Sequence, residues 1–418
     1  MRAKRLSVGS ALAALALATS TVTPTSAQSV ANAAQTAPPA PNTKPASSNR
    51  GDRNAGWRVS PALGVAAQYD DNVFYLSPTR KSDVSAPSGG QLISGRYNDM
   101  KSATDVLTTM SAGFTLKGPG LMGKTSVLTP EVSYDLYTQN TARSNVSLGL
   151  SLQQELWSDG RLRLQGRLTP SYFARNYMAD AVDQDSNGSI SEAERVYATG
   201  EYREGELGAD YRLPLAKATR SHPFGAVLQL GGGYYSRSYG APLTGRDLHG
   251  PTTSAKLLFD LGHRVDLDLG YDFASVGAPP SDQVLLLNEP DYGQDLNGNG
   301  TATDLNARVL TMVDRSRKEH NLGASLRFGP SQGMDVKLGY EYRWRRYTSN
   351  EPLDGVNSGR VDKRHQISAD LRFRLMKDLR LRLGGAHSTQ KLNRAGDTAG
   401  EIDDYTRSLG RLGLSYQM

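Results

Sequence analysis

From residue 57 to its end the chain is written in short segments in which apolar and polar residues alternate. A period of two puts successive side chains on opposite sides of a β-strand, so each segment reads as a strand with two chemically different faces. The segments fall at 57–69, 104–116, 126–137, 146–157, 161–175, 197–213, 226–235, 254–261, 265–273, 322–328, 336–347, 367–375, 379–387 and 411–418. Their connections alternate long and short throughout. A soluble sandwich has no reason to put every long connection at every second place, whereas a barrel whose two ends face different compartments does. The pattern predicts an all-β fold, a transmembrane antiparallel up-and-down β-barrel of about 14 strands, within roughly 12–16 because segment boundaries are soft. Segment 197–213 is the least regular and predicts a bulge. No segment reads as an amphipathic helix.

The two faces carry different chemistry. In the first segment Trp57, Val59, Leu63, Val65, Ala67 and Tyr69 share one side. On that face Tyr134, Tyr172, Tyr271, Phe273, Tyr340, Tyr342 and Trp344 crowd towards strand ends, where an interfacial girdle requires rings. The opposite face carries Arg58, Glu131, Asp135, Asp266, Asp268, Lys337 and Glu341, together with Arg163, Arg167, Arg327, Arg343, Arg372, Arg374, Arg380 and Arg382. Unpaired ions are costly in a dry core but can line a wet lumen. The alternative is the solvated exterior of a soluble sandwich, which lacks a reason for the loop asymmetry. The arginine excess predicts a net basic lumen that favours anionic small solutes or polyanionic glycans.

The start of the chain fits export. A basic opening, residues 1–5, precedes an Ala/Leu run at 11–18 that is too short to span a bilayer as a helix. Small-residue cleavage sites end at Ala27 and Ala33. The expected organisation is a signal peptide at 1–27 (or cleavage after 33), a disordered Ala/Pro/Ser-rich linker at 28–56, and the barrel at 57–418. Mean hydropathy is −0.50, which a transmembrane barrel tolerates because only alternate residues face lipid. No cysteine is present to staple small modules. A net charge of +6, with no basic patch or helical stripe, does not point to nucleic acid.

Two long connections carry candidate metal ligands. Residues 183–194 follow the twelve-residue EF-hand loop: Asp183, Asp185 and Asn187 offer side-chain oxygens, and Gly188 permits the sharp turn. Ser189 offers a carbonyl, Ser191 a water-mediated contact and Glu194 the bidentate carboxylate. The flanks read as strands, so a loop-stiffening calcium site is expected, not a sensor. A second loop repeats the idea with Asp295, Asn297, Asn299 and Thr301, but has Asn306 where the glutamate belongs, leaving Asp304 as substitute. Asn and Gly there are also ordinary turn residues. Both loops should lie at the same end of the barrel.

Enzymatic signals are absent from the spacing. The six histidines are scattered, and His387-Ser388 is read as a polar pair at a strand end, so catalysis is not expected. Gly231-Gly232-Gly233 follows no phosphate-loop pattern and is read as relief of crowding in the wall.

Two stretches resemble known proteins. Residues 411–418, with Arg411, Gly413, Tyr416 and Met418, resemble the C-terminal signal of bacterial outer-membrane barrels, which usually ends in Phe. Residues 64–74, ending Tyr69-Asp70-Asp71-Asn72-Val73-Phe74, resemble the opening strand of the type-two beta-barrel porins of Gram-negative bacteria. That resemblance implies an outer-membrane location and a conduit often linked to capsule or exopolysaccharide secretion. It implies as partners outer-membrane lipid and lipopolysaccharide, the barrel-assembly machinery and polysaccharide-export components. The barrel of surface-lipoprotein translocation modifiers looks similar, but there a helical-repeat domain stands where this chain has its linker. Two other readings remain: a surface-anchoring or adhesive barrel whose calcium-bound loops touch glycan or a surface layer, and an outer-membrane hydrolase.

Overall fold

The computed structural model describes residues 56–417 apart from 157–159, 182–183, 186–190, 218–223, 263, 280, 288–306, 332, 351–353, 355–356 and 394–403. The expected signal peptide, and all but the last residue of the expected linker, lie outside the described residues. Strands follow in chain order as β1 (Arg58–Asp70), β2 (Asp105–Pro119), β3 (Thr125–Tyr137), β4 (Asn145–Glu155), β5 (Arg161–Ala181) and β6 (Arg195–Ala216). Next come β7 (Gly225–Tyr239), β8 (Leu248–Asp260), β9 (Val265–Val276), β10 (Ser281–Leu287) and β11 (Ala307–Val313). The last are β12 (Arg317–Ser331), β13 (Met334–Tyr347), β14 (Val361–Arg374), β15 (Leu379–Leu392) and β16 (Tyr405–Gln417). All but β10 and β11 close into one antiparallel barrel of 14 strands, each paired with its chain neighbour, β9 passing directly to β12. The expected fold is therefore the observed one, and each period-two segment is one barrel strand.

Closure is made by β16 lying against β1, from Ala62 opposite Gln417 to Asp70 opposite Leu409. Every barrel strand thereby gains two hydrogen-bonded neighbours, and the barrel has no open edge. The barrel is inverted relative to a soluble one. Val59, Leu63, Leu150, Leu207, Leu230 and Ile367 are exposed on the outside, while Gln68, Asp70, Thr109, Asp135, Asp210 and Arg343 are buried inside. Connections 71–104, 138–144, 182–194, 240–247, 277–316, 348–360 and 393–404 lie at one end; those at the other, which also holds both barrel termini, run to eight residues at most, and only 138–144 and 240–247 on the first side are as short. The connection 182–194, which holds the first metal-like loop, is therefore at the long-connection end; residues 295–306 lie outside the described residues.

Three expectations need correction. The first long connection holds two short helices, α1 (Pro78–Ser85) and α2 (Gly89–Ser94). Their signals are capping ones: Ser77 precedes a proline at the helix start, and Ser88 and Gln91 form a reciprocal capping box closed by Gly95 in the left-handed region. Helices this short carry no amphipathic period to read. The second long connection, expected as loop, contains the β10–β11 hairpin, a separate two-stranded sheet.

The third correction concerns Tyr172, which was expected on the outer girdle and is buried inside at 4% exposure. Between Thr169 and Tyr172 the β5 strand spends an extra residue relative to β6, and it does so twice more before Ala181. One extra residue flips every later side chain to the other face. The expected bulge at 197–213 thus falls in this strand pair, on the β5 side. β6 carries its own extra residue against β7, near Pro214.

Candidate functional site

The inner faces of the strands build a lumen with two unlike walls. On β12–β16 the inward positions include Arg317, Arg327, Lys337, Arg343, Arg345, Arg364, Arg372, Arg374, Arg380, Arg382, Arg407 and Arg411, against Glu319, Asp335, Glu341, Asp362 and Asp370. On β2–β9 the balance reverses: Asp105, Glu131, Asp135, Glu155, Glu204, Glu206, Asp210, Asp260, Asp266, Asp268 and Asp272 outnumber Lys117, Arg161, Arg163, Arg167, Arg212, Arg237 and Lys256.

The eight lumen candidates are placed as follows. Arg163 donates to Asp210 at 2.6 Å and Arg167 to Ser147 Oγ at 3.4 Å, both on the acidic wall. Arg327 faces Asp266 at 3.8 Å. The other five form rungs on the basic wall, where Arg343 lies directly across the ladder from Arg364, Arg372 from Arg382, and Arg374 from Arg380. Arg382 is held by Asp370 at 2.8 Å, and Arg364 by Glu341 at 2.6 Å. Like charges directly opposite one another disfavour a sheet; Arg327 across from Lys337 adds a fourth such rung to this wall, and the other wall has Arg161 across from Arg212 and Asp260 from Asp266.

Beside the acidic wall lies a cavity of about 670 Å³ that reaches Glu319 and Asn321 above and Arg380 and Gln417 below. Gly231 and Gly233 line it. A Cβ on Gly233 would stand 2.5 Å from the Leu207 carbonyl oxygen, so the strands approach too closely there for a side chain.

The long-connection mouth is partly filled by the first connection. Val73, Phe74, Leu76, Val84, Tyr97, Met100 and Ala103 pack on the inward-facing Leu107, Tyr137 and Phe173. Arg143, buried, lies over the rings of Phe74, Tyr137 and Tyr172. Asp105 accepts from the backbone of Thr138, Gln139 and Asn140 at 3.0, 3.0 and 2.8 Å. Asn140 in turn accepts from Lys101 N at 2.8 Å, which ties the connection to the barrel wall. A segment with its own apolar core and buried polar anchors is held firmly against the inner wall at this mouth. Phe74→Ala removes the central ring of that core at a cost of about 3–5 kcal/mol. The expected result is faster proteolysis within 71–104 and a larger single-channel conductance, read by limited digestion and planar-bilayer recording.

Of the metal candidates, Asp185, Ser191 and Glu194 are described, whereas Asp183, Asn187, Ser189, Asp295, Asn297, Asn299, Thr301 and Asp304 lie outside the described residues. Glu194 is turned back into its loop: one carboxylate oxygen accepts from Gln184 N at 2.8 Å and the other from Ser191 N at 2.7 Å. These hydrogen bonds, the Ser191 backbone first, hold its carboxyl below the usual glutamate range. The neighbouring Glu192 binds Arg96 at 3.0 Å, joining this loop to the residues after α2.

His387 and Ser388 point to opposite faces. His387 faces outward with Nδ1 3.0 Å from Ser408 Oγ, and Ser388 is buried inward. Adjacent strand residues cannot form a catalytic dyad.

The two-wall division escaped the sequence reading, because it depends on which strands end up across the lumen from one another. A second missed feature is the corner at Asp70–Asn72. Arg407 donates to Asp70 at 3.0 Å, and Ser408 N to Asp71 at 2.7 Å. Asn72 donates to the Thr406 carbonyl at 2.9 Å and to that of Leu76 at 2.8 Å.

No family model matches the chain, and no curated protein matches it. Among solved structures it is similar to the outer membrane channel DcaP of Acinetobacter baumannii, at 9% identity and TM-score 0.40, covering 87% of this chain and 98% of that one. It is also similar to OmpF of Salmonella typhi, solved in complex with daunomycin, at 11% identity and TM-score 0.38, covering 87% and 98%. A loop-deletion mutant of the Vibrio cholerae outer membrane protein OmpT gives 10% identity and TM-score 0.39, covering 87% and 100%. The likeness is one of fold.

Proposed function

We propose that this chain is an outer-membrane channel that conducts anionic solutes along the basic wall of its lumen. The observation that carries this reading is the arginine ladder of β13–β15, which runs from Arg374 and Arg380 at the short-turn rim through Arg372 and Arg382 to Arg343 and Arg364. At the short-turn end Arg374, Arg380, Arg372 and Arg382 offer a moving anion successive partners, and the facing acidic wall repels it towards them; further up β14 the inward positions before Arg364 are Asp370, Ser368 and Gln366, and Arg343 and Arg364 are buried. The outward apolar surface suits a bilayer, which no soluble role would require. Linear polyanions suit such a ladder as well as small solutes do, and a part in polysaccharide secretion rests on that chemistry. Reversal potentials across a KCl gradient in planar bilayers test the proposal, with chloride expected to carry most of the current. Cation selectivity would overturn it, and absence of current from both the intact chain and one lacking 71–104 would turn the reading to a surface anchor.

The 183–194 loop is proposed to hold calcium, with Asp183, Asp185, Asn187, Ser189, Ser191 and Glu194 as ligands and the ion stiffening the connection. What supports this is the ligand spacing, together with a Glu194 carboxylate that is turned into the loop, where it accepts from Gln184 N and Ser191 N. Calorimetric titration should detect calcium binding that Glu194→Ala abolishes. The pH dependence follows from the lowered carboxyl. A folded value below the unfolded one stabilises the loop above the ordinary glutamate range, and that stabilisation is lost as pH falls through the folded value. Proteolysis of 182–194, slow at neutral pH, should therefore accelerate on acidification, and Glu194→Gln should be fast and flat across that window.

A further inference from the structure

Lys318 on β12, Arg346 on β13, Lys363 on β14 and Lys391 on β15 all alternate with buried inward residues and are exposed on the outside of the barrel. Lys318 stands directly across the ladder from Arg346, and Lys363 from Lys391. Arg346 and Lys363 are diagonal neighbours, because Lys363 pairs with Trp344. Four cations therefore gather on adjacent strands, in a patch about 14 Å wide at the usual strand spacing.

Their level is set by a row of rings. Each cation is one same-face step nearer the long-connection rim than His320, Trp344, His365 or Thr389 respectively. His320 stacks on Trp344 with centroids 4.4 Å apart and planes 4° from parallel. Its Nδ1 is 2.8 Å from Tyr271 Oη, and His365 Nδ1 is 2.9 Å from Tyr340 Oη. Tyr342 contacts both Trp344 and His365. This is an interfacial belt, and the cations lie where headgroup phosphates begin.

No described strand residue explains the patch. Among the described strand residues, the neighbouring outward positions of β9 and β12–β16 carry no carboxylate, and none of the four cations pairs with a described residue. Facing like charges disfavour the sheet. We infer that the patch binds the phosphates of lipid A in the outer leaflet, the side on which such barrels carry their long connections, with the ring belt against its acyl chains. The inference rests on the outer-membrane placement proposed above. A phosphorylated disaccharide suits it because several anionic groups on one rigid headgroup can engage cations on adjacent strands together.

The test titrates the folded, detergent-purified full chain with lipid A bearing both phosphates, with enzymatically dephosphorylated lipid A and with phosphatidylglycerol, read by native mass spectrometry. Phosphorylated lipid A is expected to bind at least tenfold tighter than either of the others. The combined variant Lys318→Gln, Arg346→Gln, Lys363→Gln and Lys391→Gln should lose that preference while conducting as the parent does, and Lys318→Arg with Lys363→Arg and Lys391→Arg should keep it. Equal binding of the three lipids by the parent overturns the inference without need of any variant, and so does a preference that survives the glutamine changes. A chain that shows the preference but passes no current sinks the channel reading and leaves this one standing.

Discussion

Asp70→Ala is expected to destabilise the barrel by about 3–5 kcal/mol, the typical cost of stranding a buried charge. Asp70 is 3% exposed and lies at the end of β1, where the seam with β16 meets the first long connection. It accepts from the Arg407 guanidinium at 3.0 Å and from Asn72 N at 2.9 Å. Removing it leaves Arg407, half-buried, with Tyr75: its guanidinium donates to Tyr75 Oη at 2.5 Å and lies over that ring. It also unhooks the corner through which Asn72 holds the Thr406 carbonyl. The measurement is the urea midpoint in detergent micelles, followed by the gel shift between folded and unfolded barrel. The pair Asp70→Leu with Arg407→Met separates lost attraction from stranded charge, because removing both ions together can be close to neutral. If Asp70→Ala unfolds at the parent's midpoint, the corner is not a seam lock.

The second large effect is on selectivity. Arg372→Glu with Arg382→Glu exchanges the middle rung of the basic wall for carboxylates. Arg372 sits across from Asp335 on its other side, and Arg382 is held by Asp370, so the change puts four carboxylates together and leaves Arg327 and Arg411 as the cations beside them. The chloride-to-potassium permeability ratio is expected to fall by roughly tenfold in dilute salt, and less in about 1 M salt where the Debye length shrinks to about 3 Å. Arg161→Glu with Arg212→Glu, a facing pair on the other wall, is the control. It should move the ratio much less, since that wall is already rich in carboxylates. Equal shifts from both pairs would mean that the two walls act as one.

How far the residues alone lead is clearest strand by strand. Leu162, Leu164 and Leu168 alternate with Arg161, Arg163 and Arg167 so regularly that the faces of β5 up to Thr169 are legible by eye. A few residues later the same strand carries Tyr172 to the inside, because each bulge is a choice between two ladders that sequence period does not record. His387 and Ser388 needed no structure to be separated, since neighbours in a strand face opposite ways. Val73, Phe74 and Leu76 are few and set in polar text, so their burial under Arg143 depends on Leu107 and Tyr137, which lie far along the chain.

By itself the sequence determined the barrel class, the strand count to within one hairpin and which end bears the long connections, because each follows from local period and spacing. Only tertiary closure decided that the arginines of β12–β16 face the carboxylates of β2–β9, and that four exposed cations share one patch above a ring belt. Charges meet across a lumen, or beside one another on its outer wall, through register and curvature. Those are properties of the closed sheet, and no single strand contains them.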